Sequence, residues 1–231
     1  MKCEFSKQHY FDCLQLAKDL GYQVKRVCDY NYDKENKVIL LRHDVDYSLD
    51  YAHKLATYEN RFGFSSSYYI HLHSETYNAL EPRSLEIIRK IHTLGHEIGF
   101  HYDAKYHIPM ESLFASKIVN GGLTAMETYT LHNASSEKGI MKFQHLRNPN
   151  EWDIKYISES GRNWREGCMC NHIGKIDKLH ILTHPLWWIS DGVRNKVMYE
   201  VVDLAKKNLE KGRDNYLKVL RKYCEDLGIE Y

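Results

Sequence analysis

The stretch "KVILLRHDVD", residues 37–46, decides the fold class. It opens with an unbroken aliphatic run and ends in charge. An apolar run without alternation suits a strand buried on both faces, as parallel sheets require, and the charged end then marks where such a strand meets its ligand. The next sixty residues fit that reading. Ser48 can cap a helix running to about Arg61, with Leu49, Ala52, Leu55, Ala56 and Tyr58 as its apolar positions. "FSSSYYIHLH" (64–73) is strand-like, Ser84 caps "LEIIRKIHTL", Gly95 stops that helix, and "HEIGFH" is another short strand. Strand, helix, strand, helix, strand in one short span implies right-handed crossovers and a parallel sheet.

Working outward, Ser6 to Leu20 reads as an N-terminal helix, with Phe11, Leu14, Leu16, Ala17 and Leu20 on its apolar face and Gly21 as its stop. Downstream, "IMKFQHLRN" (140–148) and "KLHILTHP" (178–185) read as strands, and 111–132 as mainly helical with an interruption at Gly121-Gly122. From Asp191 to about Leu227 the chain is highly charged with helical apolar spacing, which predicts one or two helices outside the sheet. No repeat, low-complexity tract or Pro-rich linker divides the chain. The expectation is one α/β domain over 1–231. It is a distorted (β/α) barrel of inner parallel strands and outer helices, with the barrel spanning about 38–188 and C-terminal helices about 191–228.

Bulk composition excludes several functions. With 32 Lys+Arg against 31 Asp+Glu the net charge is +1, so no global field draws the chain to nucleic acid or to an anionic membrane. No apolar run approaches membrane-spanning length, and the first residues lack the apolar core of a signal peptide. Six cysteines without framework spacing suit a reduced, cytoplasmic protein. Cys168, Cys170 and His172 in "CMCNH" could bind zinc, but Cys-x-Cys has no second half nearby in sequence, so a structural reading is preferred. Fourteen histidines and eighteen tyrosines are the more telling counts, since both types supply ligands and proton donors.

Ligands of parallel α/β folds sit at the carboxyl ends of the strands. Those ends carry His43-Asp44-Val45-Asp46, His71 with His73, His101-Tyr102-Asp103, Arg147-Asn148-Pro149 and His184. Asp44 and Asp46 lie two apart, so on a strand both carboxylates project to one side. Two such charges repel unless a cation lies between or beside them. One divalent metal ion held by one carboxylate, with the other left as a general base, resolves the repulsion.

The stretch "GHEIGFHYD" (95–103) resembles a miscounted zinc-protease signature, because His96 and His101 are five apart rather than four. On a helix they would diverge by about 140°, and on a strand they would face opposite sides. His101, at the carboxyl end, is therefore the functional histidine, and His96 packs or caps the strand entrance. Parity puts Glu97 and Arg42 on the inner face, where a buried ion pair between them is expected below the site.

These motifs together resemble the NodB-type polysaccharide deacetylases, carbohydrate esterase family four. "LRHDVDYS" (41–48) is similar to that family's first motif, "GFSSSYYI" (63–70) to its Ala-Thr-Phe-Phe strand and "GHEIGFH" (95–101) to the lead-in of its second motif. "LRNP" (146–149) is similar to its Arg-x-Pro motif and "ILTHP" (181–185) to its late histidine motif, all in family order. The closest flavour is the branch associated with surface-polysaccharide gene clusters. The resemblance implies metal-dependent hydrolysis of an N- or O-acyl group, acetyl foremost, from a sugar or glycan precursor, with zinc the expected metal. It implies Asp44 as base, Asp46 and His101 as metal ligands, His184 as acid and Arg147 as the group orienting the base carboxylate.

One departure leaves the third ligand open. Lys105 stands where the family's second metal histidine falls, so His73 is the first candidate, followed by Asp103 and His107. Tyr77, Asn78, Trp164 in "GRNWREG" (161–167) and Trp187 in "PLWW" (185–188) are the candidate substrate contacts, the tryptophans being equally suited to packing. Two rival readings stand: a catalytically silent barrel that binds carbohydrate, and an amidohydrolase or deformylase acting on a small substrate. Oligomeric state is left open.

Overall fold

Ser6 starts the first helix by accepting a hydrogen bond from the His9 N–H, giving α1 (Lys7–Asp19). The computed structural model describes residues 3–31, 36–72, 74–103, 128–132, 147–149, 152–190 and 194–227. After α1 come β1 (Gln23–Lys25), β2 (Val38–Val45), α2 (Leu49–Arg61), β3 (Ser67–His71), α3 (Pro82–Thr93) and β4 (Glu97–Asp103). Then follow β5 (Tyr129–His132), β6 (Lys155–Ser160), β7 (Asn163–Trp164), β8 (Lys178–Thr183), α4 (Pro185–Ile189) and α5 (Arg194–Leu227).

The strands form one eight-stranded sheet in the order β5-β4-β3-β2-β8-β6-β7, with β1 added beside the start of β2. All pairings are parallel except the β6–β7 hairpin. The sheet curls into a half-barrel with helices around it, the distorted barrel that the sequence implies. β2 is central and buried along its whole length, as its aliphatic run requires. Its alternate residues serve two cores. Ile39 and Leu41 join α1, α4 and α5 in the outer layer, while Val38 and Leu40 face inward with Val27, Tyr30 and Tyr69. A second outer layer packs Val45, Tyr68, Ile70, Ile98 and Phe100 against α2 and α3.

Close packing on the inner face fixes one glycine. A Cβ at Gly99 would lie 2.5 Å from Cε1 of Tyr69, whose ring covers that position. The Tyr69 hydroxyl in turn bonds the Thr128 hydroxyl at 2.7 Å across the sheet.

His96 fulfils the packing role expected of it. It is fully buried, its Nδ1 accepts from the Ser66 N–H at 3.2 Å, and its Nε2 lies 3.0 Å from the Ala56 carbonyl. Burial pushes its pKa down, so the neutral ring ties the β4 entrance to α2.

Several elements differ from the sequence reading. α3 begins at Pro82 behind Glu81, because proline is favoured at the first helical position, and Ser84 is buried in the first turn rather than capping it. The stretch 111–132 ends in strand β5, with 111–127 outside the described residues. Of the strand expected at 140–148, the described Arg147 pairs with Thr128 in a parallel bridge. The C-terminal region, expected to form one or two helices, is one helix, α5, over the described residues 194–227.

A buried carboxylate knits the outer layer. Glu59 of α2 accepts hydrogen bonds from the hydroxyls of Tyr10, Ser66 (2.7 Å) and Tyr68 (2.7 Å), and lies 2.9 Å from His43 Nε2. Burial pushes its pKa up, but His43 and the Tyr10 hydroxyl outweigh it and hold the group at about 2, against an ordinary 4.5. A pKa depressed by folding contributes stability that is present above the unfolded value and is lost as pH falls through the folded one. The contribution here is on the order of 3 kcal/mol, fully present above about pH 4.5 and gone below about pH 2. Urea unfolding of wild type should therefore weaken progressively from pH 5 to pH 2.5. Glu59→Gln should be less stable at pH 7 and show a visibly shallower acid dependence; equal slopes in the two proteins would remove Glu59 as its source.

Candidate active site

Arg42 and Asp44 are two apart on β2 and so project to the same inner side. The Arg42 guanidinium closes on the carboxylate in two-pronged fashion: Nε–H donates to Oδ1 and Nη2–H to Oδ2, both at 2.7 Å. Burial pushes the Asp44 pKa up, yet Arg42 and then His101 hold it below the usual carboxylate range. The Arg42 pKa is raised in turn, burial being outweighed by Asp44, so both members of the pair stay charged.

Asp46, one turn of the pleat further on, stands between two imidazoles. Its Oδ1 lies 3.3 Å from His101 Nε2 and its Oδ2 3.4 Å from His184 Nε2. His101 also lies 3.5 Å from Asp44 Oδ2, and its Nδ1 is held by the Thr130 hydroxyl at 2.8 Å on β5. The inner-face histidine of β3, His71, is the backbone partner of His101 and sets its ring 5.6 Å away, edge to face.

His184 caps α4 and is nearly buried. Its backbone N–H donates to Glu159 Oε2 at 3.0 Å, and its Nδ1 lies 3.3 Å from the same oxygen. Burial pushes the imidazole pKa down, but Asp46 and Glu159 outweigh it and raise the pKa well above the ordinary value. Beneath this level lies His180, which burial and the Arg42 charge hold at a pKa of about 3 and therefore neutral.

Asp44, Asp46, His101 and His184 thus meet at the carboxyl ends of β2, β4 and β8. Two expected contacts are formed differently. The guanidinium on Asp44 belongs to Arg42; Arg147 instead donates to the carbonyls of Cys28 (2.5 Å) and Tyr30 (3.5 Å) and lies over the Trp152 ring. The Arg42–Glu97 pair is replaced, and the register explains why. Ser67 sits between the two residues in one row across β2, β3 and β4, and its hydroxyl donates to Glu97 at 2.5 Å. With the Thr128 hydroxyl and the Cys28 N–H also on Glu97, Arg42 is left to turn up its own strand to Asp44.

Among the remaining candidates, His73, Lys105 and His107 lie outside the described residues, and Asp103 is described by its backbone alone. The Tyr77 hydroxyl donates to the Val45 carbonyl at 2.5 Å and accepts from the His71 N–H at 3.1 Å, which pins together the strand ends that carry the site. Asn78 is exposed, and its side-chain oxygen accepts from the Leu80 N–H. Trp187 is 1% exposed and presents no face for a sugar to stack on, so packing is its role. Trp164 lies at the partly exposed edge of an aromatic layer with Phe5 and Trp188.

Sequence reading missed Glu159 because it missed β6. The local signal was weak, since Tyr156-Ile157 is followed by three polar residues and Gly161, and the turn partner is Arg162, at φ 62°, where such a turn favours Gly or Asn.

No family model matches the chain, and no curated protein matches it. Solved structures similar to it include carbohydrate esterases of family 4. One is a family 4 carbohydrate esterase from Bacillus anthracis, at 12% identity and TM-score 0.44, over 90% of this chain and 90% of that one. Another is the esterase domain of a multidomain xylanase from the hindgut metagenome of Trinervitermes trinervoides, at 15% identity and TM-score 0.46, over 77% of this chain and 85% of that one. A third is a family 4 acetyl xylan esterase from Clostridium thermocellum, at 14% identity and TM-score 0.43, over 76% and 84% respectively.

Proposed function

We propose that the chain is a metal-dependent hydrolase that removes an acyl group, acetyl foremost, from a sugar or glycan precursor in the cytoplasm. The observation that carries this reading is the grouping of Asp46 between His101 and His184, beside an Asp44 held by Arg42. The motif resemblance, running in family order from "LRHDVDYS" to "ILTHP", supports the sugar substrate. The six cysteines lack the spacing of a disulfide framework, which supports a reducing compartment.

The donor set fits zinc, which takes carboxylate oxygen and imidazole nitrogen. Asp46 and His101 would hold it, with His71 the described residue placed to join them. Zinc bound there would supply Lewis acidity toward the acyl carbonyl and lower the pKa of a water.

The chain's own residues account for the proton transfers. Asp44 is the base that takes a proton from the attacking water. Its depressed pKa makes it a weak base, suited to a water already acidified. Arg42 keeps it ionised and aimed, the role expected of Arg147. His184, held at its backbone N–H and its Nδ1 by Glu159, gives its proton to the leaving nitrogen or oxygen as the acyl bond breaks. Asn78 and the Trp164 edge are the proposed substrate contacts that retain exposed surface.

Asp46→Ala and His101→Ala should each lower bound zinc by about one equivalent per chain and abolish acetate release from acetylated sugars. Metal content by elemental analysis beside an acetate assay decides it: acetate release that survives both variants and chelation overturns the mechanism. Arg42→Lys keeps the charge but loses the fork on Asp44, and should lower kcat/KM by about 10- to 100-fold with little loss of bound metal. An unchanged kcat/KM would show that Asp44 needs no orienting partner.

A further inference from the structure

A second cluster of donors lies beside the aromatic layer and includes none of the active-site residues. We infer that Cys3, His9, Cys168 and Cys170 form a structural zinc centre that clips the N-terminal segment to the β7–β8 connection. Their ligand atoms all lie within 4.8 Å of one another. Cys3 Sγ is 3.1 Å from Cys170 Sγ, and His9 Nε2 is 3.2 Å from Cys168 Sγ. Zinc–sulfur bonds of about 2.3 Å and zinc–nitrogen bonds of about 2.0 Å, set tetrahedrally, place donors roughly 3.5–3.8 Å apart. Two of the separations here are slightly shorter than that and none exceeds 4.8 Å, so shifts of up to about 1 Å would let the four donors enclose one ion.

The sequence held half of this site. Cys168 and Cys170 stand two apart in the 3-10 turn Met169–Asn171 and its N-cap, and the remaining pair comes from the opposite end of the chain. Cys3 precedes α1, and His9 lies in its first turns. His172, the sequence neighbour that would complete a local set, is turned away, its Nε2 lying 2.8 Å from the Glu166 carbonyl. Three thiolates and one imidazole close a tetrahedral shell and leave no open position, which is the arrangement of a structural rather than a catalytic site.

The position suits that role. The His9 ring lies 6.4 Å from that of Trp188, and Phe5, between the two N-terminal ligands in sequence, packs 4.9 Å from the same indole. Trp188 belongs to α4, the helix that His184 caps. The centre therefore fastens residues 3–9 over the layer that backs the acid histidine. It uses soft thiolate donors, whereas the active site offers only oxygen and nitrogen, so the two can be told apart by chemistry.

The test is cobalt titration of the reduced, metal-stripped full chain. Thiolate-to-cobalt charge-transfer absorption should appear and saturate at about one equivalent per chain, because of the two candidate sites this is the one with thiolate donors. The band should persist in Asp46→Ala and be lost in Cys168→Ser and Cys170→Ser. On wild type alone, alkylation of Cys3 and Cys170, read peptide by peptide by mass spectrometry, should slow by about tenfold or more when zinc is added. Absence of the band in wild type with its thiols shown to be reduced overturns the centre. So does a band that survives Cys168→Ser, alkylation indifferent to zinc, or a Cys3–Cys170 disulfide in protein prepared with zinc under reducing conditions.

Discussion

The buried pair between Arg42 and Asp44 is the constraint on which the site depends. Both side chains are almost inaccessible, at 2% and 4%, so neither charge can be left alone without a cost of several kcal/mol. Replacing both by apolar residues would cost the fold little. The pair is therefore better understood by what it does for Asp44, which it fixes in position and in charge. It also settles how two carboxylates two residues apart are tolerated on one strand face. Asp44 is compensated from below by its own strand, and Asp46 is left to the imidazoles of β4 and β8. That division is what the proposed function rests on, with the first carboxylate as the base and the second as a cation ligand.

The register of the sheet turns this local pair into a layered interior. Arg42, Ser67 and Glu97 form one row, and Asp44, Tyr69 and Gly99 form the next. In the lower row the serine hydroxyl takes the glutamate, which frees the arginine to reach upward. In the upper row the Tyr69 ring lies across Gly99 and beneath the guanidinium, 5.3 Å from its ring centroid. Each substitution that looks conservative in one row thus alters the next: a methyl group at Gly99 would displace the ring that supports Arg42, and through it Asp44.

How much of this could be read from the chain differs by element. β2, α2, β3 and β4 were legible because aliphatic runs, a serine cap and glycine stops agree with one another over 38–103, and parity then placed Asp44, Asp46 and His101 on one side. The Arg42–Glu97 pairing failed although both residues were assigned to the correct face, since parity gives the face but not the partner. Ser67, a small hydroxyl in the same row, was the deciding residue. β5 was hidden in a stretch with helical spacing, and β6 was hidden by its turn: Arg162 occupies a backbone region that favours glycine or asparagine, held there by bonds from its N–H to Glu159 Oε1 and from its guanidinium to the Phe5 carbonyl.

That last turn links the least legible parts of the molecule. Glu159 Oε1 accepts from Arg162 in the hairpin, and Glu159 Oε2 holds both the backbone and the ring of His184. Arg162 reaches on to Phe5, which packs against Trp188 of the helix that His184 begins. His184, the proposed acid, is therefore positioned through contacts that run to Phe5, far from the motif in which it lies. A carboxylate that must both charge an imidazole and fix its ring needs a backbone that does not drift, and here a two-residue turn supplies it. The cluster of Cys3, His9, Cys168 and Cys170 sits where that chain of contacts meets the N-terminal segment. An ion bound there would hold Phe5 against Trp188 without touching a reacting group, which gives the N-terminal segment a physical part in placing His184.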